Sequence, residues 1–344
     1  MRIGIVGLGA VGGLLAARLV AGGHQVSALA RGATLEHVRQ DGLALLEGAE
    51  DRPRETRLQL RVSDDAAELG EQDLVVLSVK TTGLADVAQR IGPLLGPDTA
   101  VLSAMNGVPW WFFHGLDEAL ARREWQAIDA GGRIAAAIPA RRVLGAVVHF
   151  SCAMPAPGVV RHGQGNRLIL GEPQGGDSER CLRAAQALRD GGFEVEVSQR
   201  IQQDVWFKLW GNMTMNPISA ITGATADRIL DDPLVRGFIS RAMREAAAIG
   251  ERIGLPIPIT PEQRHEVTRK LGAFRTSMLQ DVDAGKAVEL DALVAIVAEI
   301  GRAVGVPTPD IDALLGIARL HARVRGLYPW PAPEAGAAAV ASGA

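Results

Sequence analysis

The chain is short of lysine. Only Lys80, Lys208, Lys270 and Lys286 occur, against 32 arginines among 36 basic residues. Asparagine is equally scarce, with Asn106, Asn166, Asn212 and Asn216 its only instances. Two cysteines, Cys152 and Cys181, fit neither a disulfide framework nor a metal cluster, so no metal site is expected. A reducing cytoplasm is the simplest setting. The net charge of −3 supplies no global basic field, so nucleic acid is not an expected partner. No segment reaches roughly 20 apolar residues without charge, which argues against a membrane span. Residues 3–20 are mostly apolar, but they hold five glycines and lack a clear basic leader. They fit a strand, turn and helix better than a signal peptide.

What is present suits a folded chain of about two domains. Hydrophobic residues make up 47% and charged residues 22% of 344. Residues 2–7 form a short apolar run ending at Gly7-Leu8-Gly9-Ala10-Val11-Gly12, and the helical pattern Leu14, Leu15, Ala17, Leu19 follows. Gly7 permits a tight turn, Gly9 lets the backbone approach a pyrophosphate, and Gly12 lets helix and strand pack closely. The free N–H groups of the helix start would face the anion. The second apolar run, residues 25–30, ends at Arg31 where an NAD site usually carries a carboxylate. A guanidinium can grip a 2′-phosphate that a carboxylate would repel, so NADP(H) is the predicted cofactor. The alternative is a solvated loop arginine.

Residues 74–79 read as a strand ending at Lys80, and residues 99–105 as another ending at Asn106-Gly107. Ligands of open parallel sheets sit at such carboxyl ends. Lys80 is therefore expected near the cofactor phosphates, and Asn106 near the nicotinamide or the substrate. Strands are also expected over 142–150, 158–165, 167–170 and 193–198, with a helix over 179–188. The sheet should run to about residue 198.

Helical patterns follow. Lys208, Asn212 and Asn216 stand four apart, each step turning about 40°, so they share one side of a helix. Trp206, Phe207, Leu209, Trp210, Met213 and Met215 surround them, which points to burial and hence to partners for the polar groups. Arginine does not give up its proton in a protein, whereas a partly desolvated lysine can. Lys208 thus reads as a proton donor. Pro217 should bend or end this helix. Further helices are expected over 232–253, 261–282, 288–304 and 311–324. A break at Gly285 would let Ser277, near the end of one helix, and Glu289, at the start of the next, face one pocket. His114 and His149 are rival acids without an evident carboxylate partner.

These marks resemble the ketopantoate reductases (2-dehydropantoate 2-reductases) from residue 1 to about 325. They are the Gly7–Gly12 turn, Arg31, Val79-Lys80, Asn106-Gly107, the Lys208/Asn212/Asn216 set with Pro217, and Ser277-Met-Leu-Gln-Asp281 with Glu289. The resemblance implies an α/β fold, with an N-terminal Rossmann-type dinucleotide-binding domain (1–199) and an all-helical C-terminal domain (200–330). Residues 331–344 are expected to be a disordered tail. It further implies NADPH-dependent reduction of 2-dehydropantoate to pantoate, on the route to pantothenate. Lys208 matches the family's general acid and Glu289 the carboxylate that holds the substrate hydroxyl. Asn212 and Asn216 match substrate-binding amides, and Ser277 the residue near the substrate carboxylate. Arg31 and Lys80 match groups near the 2′-phosphate, and Asn106 one between cofactor and substrate.

Two features depart from the family. The loop 222–227 lacks an asparagine often found there, and residues 109–114 are bulkier than expected. The exact 2-keto acid therefore stays open. Another 2-keto or hydroxy acid reductase, or an NADPH-sensing protein without turnover, is the alternative. The oligomeric state is open too, a homodimer being one expectation.

Overall fold

The computed structural model describes residues 1–331, so the expected tail lies, apart from Pro331, outside the described residues. The described residues hold twelve strands: β1 (Arg2–Val6), β2 (Gln25–Leu29), β3 (Leu43–Glu47), β4 (Arg54–Leu58), β5 (Arg61–Ser63), β6 (Gln72–Leu77), β7 (Leu95–Ser103), β8 (Val143–His149), β9 (Cys152–Ala156), β10 (Val159–His162), β11 (Arg167–Gly171) and β12 (Glu194–Val197). Eight of them make one sheet in the order β12-β11-β8-β7-β6-β1-β2-β5. Every neighbouring pair in it is parallel except β8 with β11.

Both faces of this sheet are covered, which is why its central strands β1, β6, β7 and β8 carry long apolar runs. Successive side chains point to opposite faces. Ile3, Ile5, Leu74, Val76, Leu102 and Leu144 join one core beside the helix Ala10–Ala21. Val6, Val75, Leu77, Val101 and Val143 join a second core, which continues through Trp111, Phe112 and Phe113 into the helical half. The bulky 109–114 segment thus supplies core. Gly145 leaves room for it, since a Cβ there would lie 2.4 Å from the Trp111 ring.

A second sheet, β4-β3-β10-β9, covers residues that the sequence patterning only partly marked. Residues 43–63 carry three strands that were not expected. Arg54–Leu58 is an edge strand with no fully buried residue, so it has no apolar run to betray it.

From Ile201 onward only helices occur among the described residues. Ile201–Thr222 is one helix of 22 residues and passes through Pro217, so it does not end there as one form of the expectation had it. A mid-helix proline costs about 3 kcal/mol. Here the helix is packed almost all round, with Trp206, Trp210, Pro217 and Ser219 buried, and that packing outweighs one missing donor. The expected helix over 261–282 is two, Pro261–Arg269 and Ser277–Asp283, separated by a turn at Gly272. Ser277 therefore begins a helix and does not end one. The chain turns again at Gly285, as the glycine suggested. The next helix opens on a π-helical turn, Asp291–Ala295, and continues as Ile296–Val304. No described helix is long and apolar enough to cross a membrane.

Candidate active site

Strand order decides where the site falls. β7, β6, β1 and β2 are neighbours, and Asn106, Lys80, Gly7 and Arg31 follow their carboxyl ends. Residues spread over 100 positions of sequence are thereby gathered on one edge of the sheet.

The glycine turn is built for close contact. Gly7 has φ +96°, and a Cβ on Gly12 would lie 2.1 Å from the Gly7 carbonyl oxygen. Gly9 differs, for a Cβ there would meet nothing within 4 Å. It faces a cavity of about 370 Å³ lined by Leu8, Arg31, Thr34, Ser78, Lys80 and Arg90, among others. Helix Ala10–Ala21 starts at Gly9 with no side-chain cap and no acidic residue in its first turn. Unclaimed N–H groups beside an open cradle are what a dinucleotide pyrophosphate requires, so the residues fit that group.

Arg31 is 80% exposed at the rim of this cavity, with Asp86 3.7 Å away. An incoming 2′-phosphate would compete with Asp86 for it. Lys80 lines the cavity, yet its amine donates to the Ala287 carbonyl at 3.0 Å and pairs with Asp281 at 2.7 Å. In this structure Lys80 ties the sheet to the helical half.

Lys208 lies deeper. Its Nζ donates to Asn106 Oδ1 at 2.8 Å and to the Val148 carbonyl at 2.7 Å. That carbonyl is free because β7 stops early. The last β7–β8 pair is Ser103 with Gly145, three residues before Val148. Burial pushes the Lys208 pKa down to about 8, opposed by the negative charge of Glu289. An ammonium has three N–H donors. Two are spent on the scaffold and one is left for a ligand. The neutral amine would keep both scaffold bonds and offer a lone pair in place of the third proton. Either protonation state is therefore satisfied, and losing the proton costs no contact with the frame.

Glu289 accepts from Thr81 N at 2.8 Å and from Thr81 Oγ1 at 3.2 Å. Burial raises its pKa, while these bonds and the Lys80 charge oppose the rise. It lines a small cavity with Thr81, Met105, Trp110 and Asp291. Met105 also lines the adjoining cavity of Lys208, Asn106 and Asn212. Val108 N bonds the Ala292 carbonyl at 2.8 Å, fixing the turn after Asn106 against the π-helical turn.

Lys208, Asn106, Asn212 and Glu289 thus converge. Asn216 is buried in the same helix but lines neither of these cavities. Ser277 is exposed in the first turn of its helix and lines neither as well, so the structure does not bring it into the pocket with Glu289. His149, next to Val148, is a poor proton donor. Burial of part of the ring and the charge of Lys208 push its pKa down to about 4, although the residue as a whole is exposed, so little of the imidazolium form is present at neutral pH. Sequence reasoning missed Thr81 and the Val148 carbonyl. A backbone carbonyl leaves no residue-type signal, and Thr81 is an ordinary residue after a strand.

The chain is similar to known proteins over nearly its whole length. The family model described as "Ketopantoate reductase PanE/ApbA" matches residues 3–175, and its "C terminal" companion matches residues 200–322. A 2-dehydropantoate 2-reductase of Mesorhizobium japonicum is 44% identical over 329 residues, spanning 95% of this chain and 100% of that protein. A crystal structure from Ralstonia solanacearum MolK2, provisionally assigned as a ketopantoate reductase, superposes with a TM-score of 0.90 at 56% identity, covering 95% of this chain and 99% of that one. The 2-dehydropantoate 2-reductase of Methylococcus capsulatus superposes with a TM-score of 0.79 at 26% identity, covering 96% and 100%.

Proposed function

The chain belongs to the ketopantoate reductase family, and on that premise we propose that it reduces 2-dehydropantoate to pantoate with NADPH, in the route to pantothenate. The observation that carries this reading is the Lys208 amine, held by Asn106 and Val148 with one N–H uncommitted. Bound NADPH supplies the hydride that adds to the ketone carbon. As charge builds on the ketone oxygen, Lys208 gives it a proton, and the resulting amine keeps both scaffold bonds. Asn106 keeps Lys208 oriented at the mouth of the nucleotide cleft. Glu289, steadied by Thr81, accepts the substrate hydroxyl, and Asn212 supplies an amide to the polar end of the substrate, while Asn216, buried outside both cavities, would join it only after a rearrangement of the helix around it. Ser277 would reach the carboxylate only if its helix moved inward. Arg31 holds the 2′-phosphate once Asp86 is displaced from it.

The test is a rate comparison. Loss of NADPH absorbance should follow addition of 2-dehydropantoate, and NADH should support a much slower rate. No consumption of either dinucleotide with any 2-keto acid would refute a reductase. A second reading, the same chemistry on a different 2-keto acid, is favoured by one observation: Trp110 fills part of the wall facing Glu289. Ranking kcat/KM across a panel of 2-keto acids of differing bulk separates the two.

A further inference from the structure

We infer that Tyr328 is a positioning residue for Glu289 and acts through Asp291, an assignment that rests on the functional reading above. The helix Pro309–Val324 is followed by a turn at Gly326 that sends the chain back across the start of the π-helical turn. Two consecutive residues of this return segment grip the backbone stretch carrying Glu289 on either side. The Leu327 carbonyl accepts from Val288 N at 3.1 Å. The Tyr328 hydroxyl donates to Asp291 Oδ1 at 2.5 Å.

The grip is itself anchored. Leu327 is buried, and Arg323 Nε donates to the Pro329 carbonyl at 3.0 Å. The Arg323 guanidinium also stands 5.5 Å from the ring centres of Tyr328 and Trp330. Tyr328 is the only tyrosine in the chain, and it lies beyond residue 322, where the family match ends.

The need for such a device follows from the chemistry of the pocket. Glu289 and Asp291 are two acids lining one small cavity. A π-helical turn is a loosened stretch of helix, often found where a side chain must be aimed. Tyr328 holds the Asp291 carboxyl through Oδ1, with the positive charge of Arg319 and Arg323 acting on it, which leaves Glu289 as the acid that accepts from Thr81. Without that hydroxyl, Asp291 would be free to turn inward, compete for the Thr81 donors and repel Glu289. Burial also raises the Asp291 pKa and the Tyr328 bond opposes this, so the hydroxyl favours the charged carboxylate that it holds.

The experiment is Tyr328→Phe in the full chain, assayed with whichever 2-keto acid the wild-type protein reduces. A failed substrate assignment therefore leaves this test intact. The KM for the keto acid should rise roughly 3- to 10-fold, the effect of one net hydrogen bond, with kcat and the NADPH dissociation constant within about twofold of wild type. In a Glu289→Gln background the same change should add nothing further to KM. An unmoved KM in Tyr328→Phe, or independent additive effects in the double variant, would overturn the inference. As a second measurement, Asp291→Ala removes the competing acid, so KM should stay within about twofold of wild type and Tyr328→Phe added to it should not raise KM; a rise in either case would overturn the inference.

Discussion

The most demanding prediction concerns pH. If Lys208 supplies the proton, reduction requires its ammonium form. With a pKa of about 8, it is about 90% protonated at pH 7 and about 10% at pH 9. The rate constant kcat/KM for keto-acid reduction should fall roughly tenfold over those two units, approaching a slope of one only above about pH 9. The reverse reaction, oxidation of the hydroxy acid by NADP+, needs the free amine and should rise through the same midpoint. Lys208→Ala should abolish both limbs and lower turnover by about 10²- to 10⁴-fold, the usual worth of a placed general acid. Lys208→Arg should not restore them, because guanidinium holds its proton. The assay is initial-rate kinetics in buffers of constant ionic strength in both directions. A profile flat to pH 9.5, or a limb near the ordinary lysine value of 10.5, would show that the amine is not the desolvated acid described here.

Three further outcomes follow from the same geometry. Glu289→Gln should weaken keto-acid binding and move the alkaline limb to lower pH, since the carboxylate is what raises the Lys208 pKa; a limb that stays or climbs contradicts their coupling. Gly9→Val should leave thermal stability near wild type, because nothing lies within 4 Å of the added Cβ, while calorimetry should show dinucleotide binding lost. Retained binding would place the pyrophosphate elsewhere. Arg31→Ala should weaken NADPH binding by about 1.5–3 kcal/mol, as for a charge-assisted hydrogen bond, with little change for NADH; equal losses for both would remove the 2′-phosphate role.

The main sheet was legible because its strands are buried on both faces and leave continuous apolar runs, as in residues 74–79 and 99–105. The second sheet was legible only at β10, since its edge strand Arg54–Leu58 has no fully buried residue and carries charge at Arg54, Glu55 and Arg57. The Lys208 stripe could be read from a spacing of four in a chain with few lysines. Its tuning could not, because the burial of the amine and the approach of Glu289 are set by tertiary packing and not by local spacing. Pro217 misled for the opposite reason. Local propensity argued for a break, and tertiary packing overruled it. Ser277 and Glu289 share a turn at Gly285, but only Glu289 reaches the small cavity, because the split at Gly272 gives Ser277 an exposed helix start.

Lys208 sits on a helix of the C-terminal half, while both of its acceptors belong to the N-terminal half. Neither lobe owns a tuned acid. Separate them slightly and the amine regains water and the basicity of an ordinary lysine. Damage at any remote point of the seam would then surface as an altered titration curve before it surfaced as lost affinity.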